Sequence, residues 1–178
     1  GHELAPLKME KATFVTGIEH QEEAAWGEHG WDKVTFEVST NPGAPAGPLN
    51  RIASGGELSR FMLALKAVLA SSDKIPTIIC GEVDAGIGGA VAAAVGARLA
   101  TLSEGAQVLV VTHSPQVASR GAYHWRVSKS GDEGQVRTAI EPLESDARKE
   151  ELARMLAGAE VTEEARAAAD SLLQGVGR

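Results

Sequence analysis

One pattern limits this chain more than any other: helical periodicity and short apolar runs alternate through its middle. "ELSRFMLALKAVLA" has apolar residues at helical spacing up to Ala70, and "PTIIC" follows at 76–80. "AVAAAVGARLATL" at 90–102 and "AQVLVVTH" at 106–113 repeat the alternation. Short runs rich in Val and Ile read as strands, and the longer periodic stretches as helices. Two strands joined through a helix enter their sheet in the same direction, so the pair is parallel and the class is α/β. Both runs look like buried parallel strands.

Antiparallel segments flank this centre, so the sheet is expected to be mixed, mainly parallel, with helices on its faces. "ATFVTGIE" and "KVTFEVST" read as strands, and Val34, Phe36 and Val38 alternate with Thr35 and Glu37 as on a half-buried strand. "TNPGAPAGPLN" is an extended loop. Toward the other end, "SPQVASRG" makes a short helix, and "YHWRVSKS" and "GQVRTAIEPL" make a hairpin across "GDEG". Helices at about 144–157 and 162–174 follow, the second with an apolar stripe through Ala165, Ala168 and Leu172. No internal repeat occurs.

The 178 residues suit one compact unit, taken as 3–175, with the opening Gly-His read as a cloning remnant. A net charge of -7 argues against gripping nucleic acid by bulk electrostatics, though it leaves room for a local basic patch. The single cysteine, Cys80, makes neither an internal disulfide nor a cysteine-rich zinc site. No apolar run approaches the ~20 residues that span a bilayer. A cytoplasmic, membrane-free protein is expected.

In parallel α/β sheets, ligands collect at the carboxyl ends of strands. Here those ends carry Glu82 and Asp84 after "TIIC", and His113 after "VLVVT". Glu82 has the chemistry to orient and deprotonate a water, and His113 to sense a terminal phosphoryl group. A lone Glu or His in such a place is more often solvated or hydrogen-bonded. "IASGGELSR" at 52–60 adds a helix start with small residues and bare N–H groups, which suits an anion. Ser54 acting only as a helix cap is the plainer alternative.

In this order, "SGGELSR", "TIICGEVDAGIGG" and "VLVVTHSPQVA" resemble the signature motif, Walker B with D-loop, and switch histidine of ABC-type ATPase heads. With "TNPGAPAGPL" and "KEELARMLAG", they resemble the RecN family of SMC-like bacterial DNA repair proteins, from about Glu3 to Leu173. "GIGG" narrows the likeness to that family. The resemblance implies a C-terminal half of an ABC/SMC-type head, in which two heads sandwich two ATP molecules. Ser54, Gly55 and Gly56 would then reach the γ-phosphate held by the other head, with Glu57 and Arg60 positioning the loop. Glu82 would be the catalytic base and His113 the phosphate switch. Asp84 through Gly89 would be the D-loop contacting the second head, with Asp84, Gly86 and Gly88 among the nucleotide-site residues. Gln116 and Arg120, on the helix after the switch, read as structural. The implied partners are a P-loop half-head, a second head in a homodimer, and DNA through the full-length protein. The implied cofactors are ATP and Mg²⁺, and the implied place is the nucleoid.

Two departures qualify the resemblance. No G-x-x-x-x-G-K-[ST] occurs, so the P-loop must come from elsewhere, and the isolated chain is expected to be inactive. The Walker B aspartate position holds Gly81, which supplies no carboxylate to support Mg²⁺. A non-hydrolysing dimerisation clamp is therefore the alternative to an ATPase. A transporter subunit fits poorly, since such heads carry the P-loop in the same domain. Tyr123, Trp125 and the basic "RVSKS" could suggest nucleic-acid contact, but Tyr123, Trp125 and Val127 on one packed face is the stronger expectation. The signature helix is expected to face away from the Glu82–His113 edge.

Overall fold

The computed structural model describes residues 3–40, 43, 45–51, 55–72, 75–81, 83–131, 137–158 and 160–175. Thr13–His20 (β1) pairs antiparallel with Asp32–Ser39 (β2), and β2 pairs antiparallel with Gly47–Pro48 (β3). The helix Gly55–Ser72 (α1) leads to the strand Thr77–Gly81 (β4). Gly89–Leu102 (α2) then crosses over to Gln107–Val111 (β5), which pairs parallel with β4 from Thr77↔Gln107 to Gly81↔Val111. The short helix Pro115–Ala118 (α3) precedes an antiparallel hairpin, Trp125–Ser130 (β6) with Arg137–Pro142 (β7). Ser145–Ala157 (α4) and Glu163–Gln174 (α5) complete the order.

The α/β class and the mix of parallel and antiparallel pairing are as expected. The strands nevertheless lie in three separate sheets, and among the described residues only β4 and β5 run parallel. "TNPGAPAGPLN" is also more structured than an extended loop, since it contains β3 and runs into a 3₁₀ turn at Leu49–Arg51.

The main core forms where α1 and α2 pack on the inner face of β4–β5. Phe61, Leu63, Ile78, Cys80, Val95 and Leu99 meet there, joined by Leu4, Leu7 and Met9 from the start of the chain. Arg98 on α2 pairs with Glu3 and ties that first segment down. A second core lies between α3, α4 and α5, built on Ala118, Leu152, Ala153, Ala165 and Ala169. Its α5 stripe therefore uses Ala169, and Ala168 is exposed. Thr162 caps α5, its Oγ accepting from the Ala165 N–H at 3.2 Å.

Several faces expected to be buried are open. On β2 only Val38 and Ser39 at its end are buried; Val34 and Phe36 are 56% and 51% exposed. The parallel pair is covered on one face only, with Ile79 and Val111 exposed on the other. Tyr123, Trp125 and Val127 are also exposed, so they form no packed face within this chain, and Tyr123 precedes β6. Alternation correctly marks apolar faces, but burial requires something to lie on them.

Candidate functional site

The turn after β4 is built around Asp84. The Ile87 N–H donates to the Asp84 carbonyl at 3.2 Å, and Gly86 adopts φ +69, which the turn demands of its third residue. Gly88 is extended and precedes α2 at its N-cap position, so "AGIGG" presents bare, exposed backbone. Ile87 anchors the turn against the main core.

Asp84 is 9% exposed, and its carboxylate is engaged within the chain. Oδ2 accepts from the Thr112 hydroxyl and, at 3.1 Å, from the Ser114 N–H. The Thr112 Oγ also accepts from that N–H at 2.9 Å. The turn after β4 is thus tied to both neighbours of His113, whose side chain is exposed at the end of β5. Thr112 is a residue that sequence reasoning missed. Its place beside His113 was visible, but its contact with a carboxylate 28 residues earlier was not.

The helix start approaches the same turn. A Cβ on Gly56 would stand 2.6 Å from the Ala85 carbonyl oxygen and 3.3 Å from the Ile87 side chain. Glycine is required there by close backbone packing inside the chain. Gly55 differs, because a Cβ there meets nothing within 4 Å. Further along α1, Leu58, Ser59, Met62, Leu63 and Lys66 line one hollow with Cys80, Gly81 and Val83, and Lys66 donates to the Ile79 carbonyl at 3.1 Å. Helix α1 therefore packs beside the end of β4, where it was expected to face away from that edge. Ser54 and Glu82 themselves lie outside the described residues.

Gln116 lies on α3 as expected, whereas Arg120 lies beyond the end of that helix; both pack against α2. A Cβ on Gly96 of α2 would meet the Gln116 carbonyl oxygen at 3.0 Å and the Arg120 Cγ at 3.1 Å, so α2 and α3 nearly touch. The Gln116 side chain accepts from the Ser114 hydroxyl at 2.9 Å. Arg148, also missed, donates from α4 to the Ser119 and Gly121 carbonyls at 2.9 and 2.6 Å, where α3 ends.

Gly55 and the glycines at 86 and 88 leave space for a phosphate to approach backbone, which suits a nucleotide. Magnesium is different. Gly81 carries no side-chain ligand, Asp84 Oδ2 already accepts two hydrogen bonds, and no group of three or more His, Cys, Asp or Glu among the described residues could hold a metal. A Cβ on Gly81 would meet nothing within 4 Å, so an aspartate would fit there.

No family model matches the chain. Curated proteins do: it is 48% identical to DNA repair protein RecN of Rickettsia bellii over 172 residues, covering 97% of this chain and 31% of that protein. It is 51% identical over 146 residues to RecN of Xylella fastidiosa strain Temecula1, covering 82% of this chain and 26% of that protein. Along nearly its whole length, the chain is RecN-like. It spans about a third or less of the length of these relatives and corresponds to their C-terminal part.

Solved structures give the fold. A chain described under "Structural biochemistry of ATP-driven dimerization and DNA stimulated activation of SMC ATPases" superposes with a TM-score of 0.59 at 16% identity, over 89% of both chains. The Smc head domain with coiled coil and joint from Pyrococcus yayanosii gives 0.62 at 18% identity, over 85% of this chain and 27% of that one. The RecN-like chain has an SMC head fold. No helix among the described residues is long and apolar enough to cross a membrane.

Proposed function

We propose that this chain is the signature-bearing half of an SMC-like ATPase head that acts, in the RecN manner, in recombinational repair of DNA double-strand breaks. The supporting observation is the junction of three motif segments: Gly56 packs on Ala85, and Asp84 holds Thr112 and Ser114 on either side of His113. In this reading, Ser54 and the N–H groups near Gly55 donate to the γ-phosphate of a nucleotide carried by a second head. The open space at Gly55 permits that approach. Glu82 accepts a proton from the attacking water, and His113 donates to the terminal phosphoryl group. Bound ATP supplies the phosphoanhydride to be cleaved.

The P-loop comes from another half-head, and the exposed apolar strand faces support such an arrangement. DNA contact belongs to the full-length protein, in the cytoplasm at the nucleoid. A clamp that dimerises on ATP without hydrolysis is the second reading, and Gly81 is what favours it.

The test is to combine the chain with the P-loop half of a RecN head and follow turnover and ATP-dependent sedimentation. The chain alone is expected to hydrolyse no ATP. With Gly81→Asp, the combined heads are expected to hydrolyse it. Glu82→Gln on that background should keep ATP-driven association and abolish turnover. Association without turnover in the Gly81→Asp heads assigns the chain to the clamp. Ser54→Ala should remove ATP-dependent association; if it only lowers stability, by roughly 0.5–2 kcal/mol, Ser54 is a helix cap.

A further inference from the structure

We propose that a hollow between the start of the chain and the first turns of α1 binds a phosphate-bearing ligand through Lys8, Lys11 and Arg60. The hollow measures about 250 Å³ and is lined by these three cations with Met9, Thr40 and two carboxylates, Glu10 and Glu57. Its lining carries one net positive charge in a chain whose total is -7.

Two independent observations point to a ligand. The first is Arg60, a half-buried guanidinium whose Nε is fully buried and has no hydrogen-bond partner. None of the three cations has a hydrogen-bond or ion-pair partner among the described residues. Desolvating a donor without pairing it costs stability, so an unpaired guanidinium at the edge of a hollow fits an anion that arrives later.

The second is the backbone at Lys8. It adopts φ +59, the left-handed region, and is the only non-glycine residue described there with positive φ. Lys8 ends the 3₁₀ turn Ala5–Leu7: its N–H donates to the Ala5 carbonyl and the Met9 N–H to the Leu4 carbonyl, each at 3.0 Å. Glycine is the usual residue in this position. Leu4, Leu7 and Met9 are buried on either side and hold the turn rigidly. A lysine kept on a strained, well-anchored backbone facing the hollow suggests a function for its ammonium group.

A phosphate oxygen set can accept from a guanidinium fork and from ammonium groups at once. This inference does not depend on the ATPase reading. The ligand is either a nucleic-acid phosphodiester or a free phosphate, and two titrations of this chain separate them.

In NMR titrations, inorganic phosphate or a short DNA duplex should shift the Arg60 Nε–Hε signal and the Lys8–Lys11 amides saturably. A response to the duplex alone assigns a phosphodiester, and a response to inorganic phosphate alone assigns a free phosphate. Arg60→Gln and Lys8→Gly should each weaken binding by about tenfold, the loss of one charge-assisted contact. Lys8→Gly should also raise the melting temperature, because it relieves the backbone, which separates a binding role from a folding role. No saturable shift with either probe, or unchanged affinity in both variants, overturns the proposal.

Discussion

The two ends of the molecule are finished to different degrees. Around α3, α4 and α5 the chain completes its own packing. Leu152 and Ala169 are fully buried, and Arg148 satisfies the carbonyls where α3 ends. Glu151 is held between Arg154, at 2.9 and 2.6 Å, and Arg126 of β6, at 3.6 Å. Lys149–Asp170 and Arg166–Glu150 join α4 to α5. On the β1–β2 sheet, Phe14, Ile18, Val34 and Phe36 share one face and remain 40–65% exposed. Each apolar group left in water forgoes the stabilisation that burial provides, roughly 25 cal/mol per Å². The difference teaches that one end folds against itself, whereas the other enters the core only at Val38 and leaves the rest of its apolar face uncovered.

The largest effect is expected in the finished end. Leu152→Ala should cost about 2–5 kcal/mol in denaturant unfolding, because the packed helices cannot close the cavity. A loss as small as that of a surface substitution would erase the contrast.

Next comes the helix start, where two adjacent glycines differ in surroundings. Gly56→Ala forces its Cβ toward the Ala85 carbonyl and should cost about 1–3 kcal/mol. Gly55→Ala has open space and should be within about 0.5 kcal/mol of neutral. Equal thermal melts for the two variants would remove the internal role assigned to Gly56.

The unfinished sheet should show a smaller effect in the free chain. Phe36→Thr should change its unfolding free energy by less than about 1 kcal/mol and reduce self-association on gel filtration. The same substitution should strongly weaken assembly with a P-loop half-head. If it unfolds the free chain, β2 is part of a finished core after all.

The smallest effect sharpens the comparison through pH. His124 sits where the hairpin meets α4; burial, and secondarily the Arg148 charge, hold its pKa below the ordinary 6.5, with Glu151 opposing them. Its Nδ1 is buried without a hydrogen-bond partner. The unfolded chain therefore binds the proton more readily. The contribution of His124 is complete above pH 6.5 and falls as pH drops from there through the folded-state pKa. Melting temperatures measured across that range should decline on acidification, and less so in His124→Gln.

Much of the site was legible because its residues are neighbours in sequence. The turn residues Asp84, Gly86 and Gly88 follow an apolar strand, and His113 follows another, so local pattern located both strand ends. Thr112 and Arg148 were not legible, since their importance comes from partners 27 to 29 residues away that meet them only in the fold.

The sequence by itself determined the order and kind of nearly every element, because helix and strand periods, turns and glycines act over a few residues. It also determined that no P-loop is present and that Gly81 stands where the resemblance calls for a carboxylate. Only the tertiary structure decided which apolar faces are covered, which glycine admits a close backbone, and that Asp84 bonds within the chain. Those outcomes depend on contacts between distant segments, and a periodic apolar pattern is the same whether the surface opposite it is present or missing.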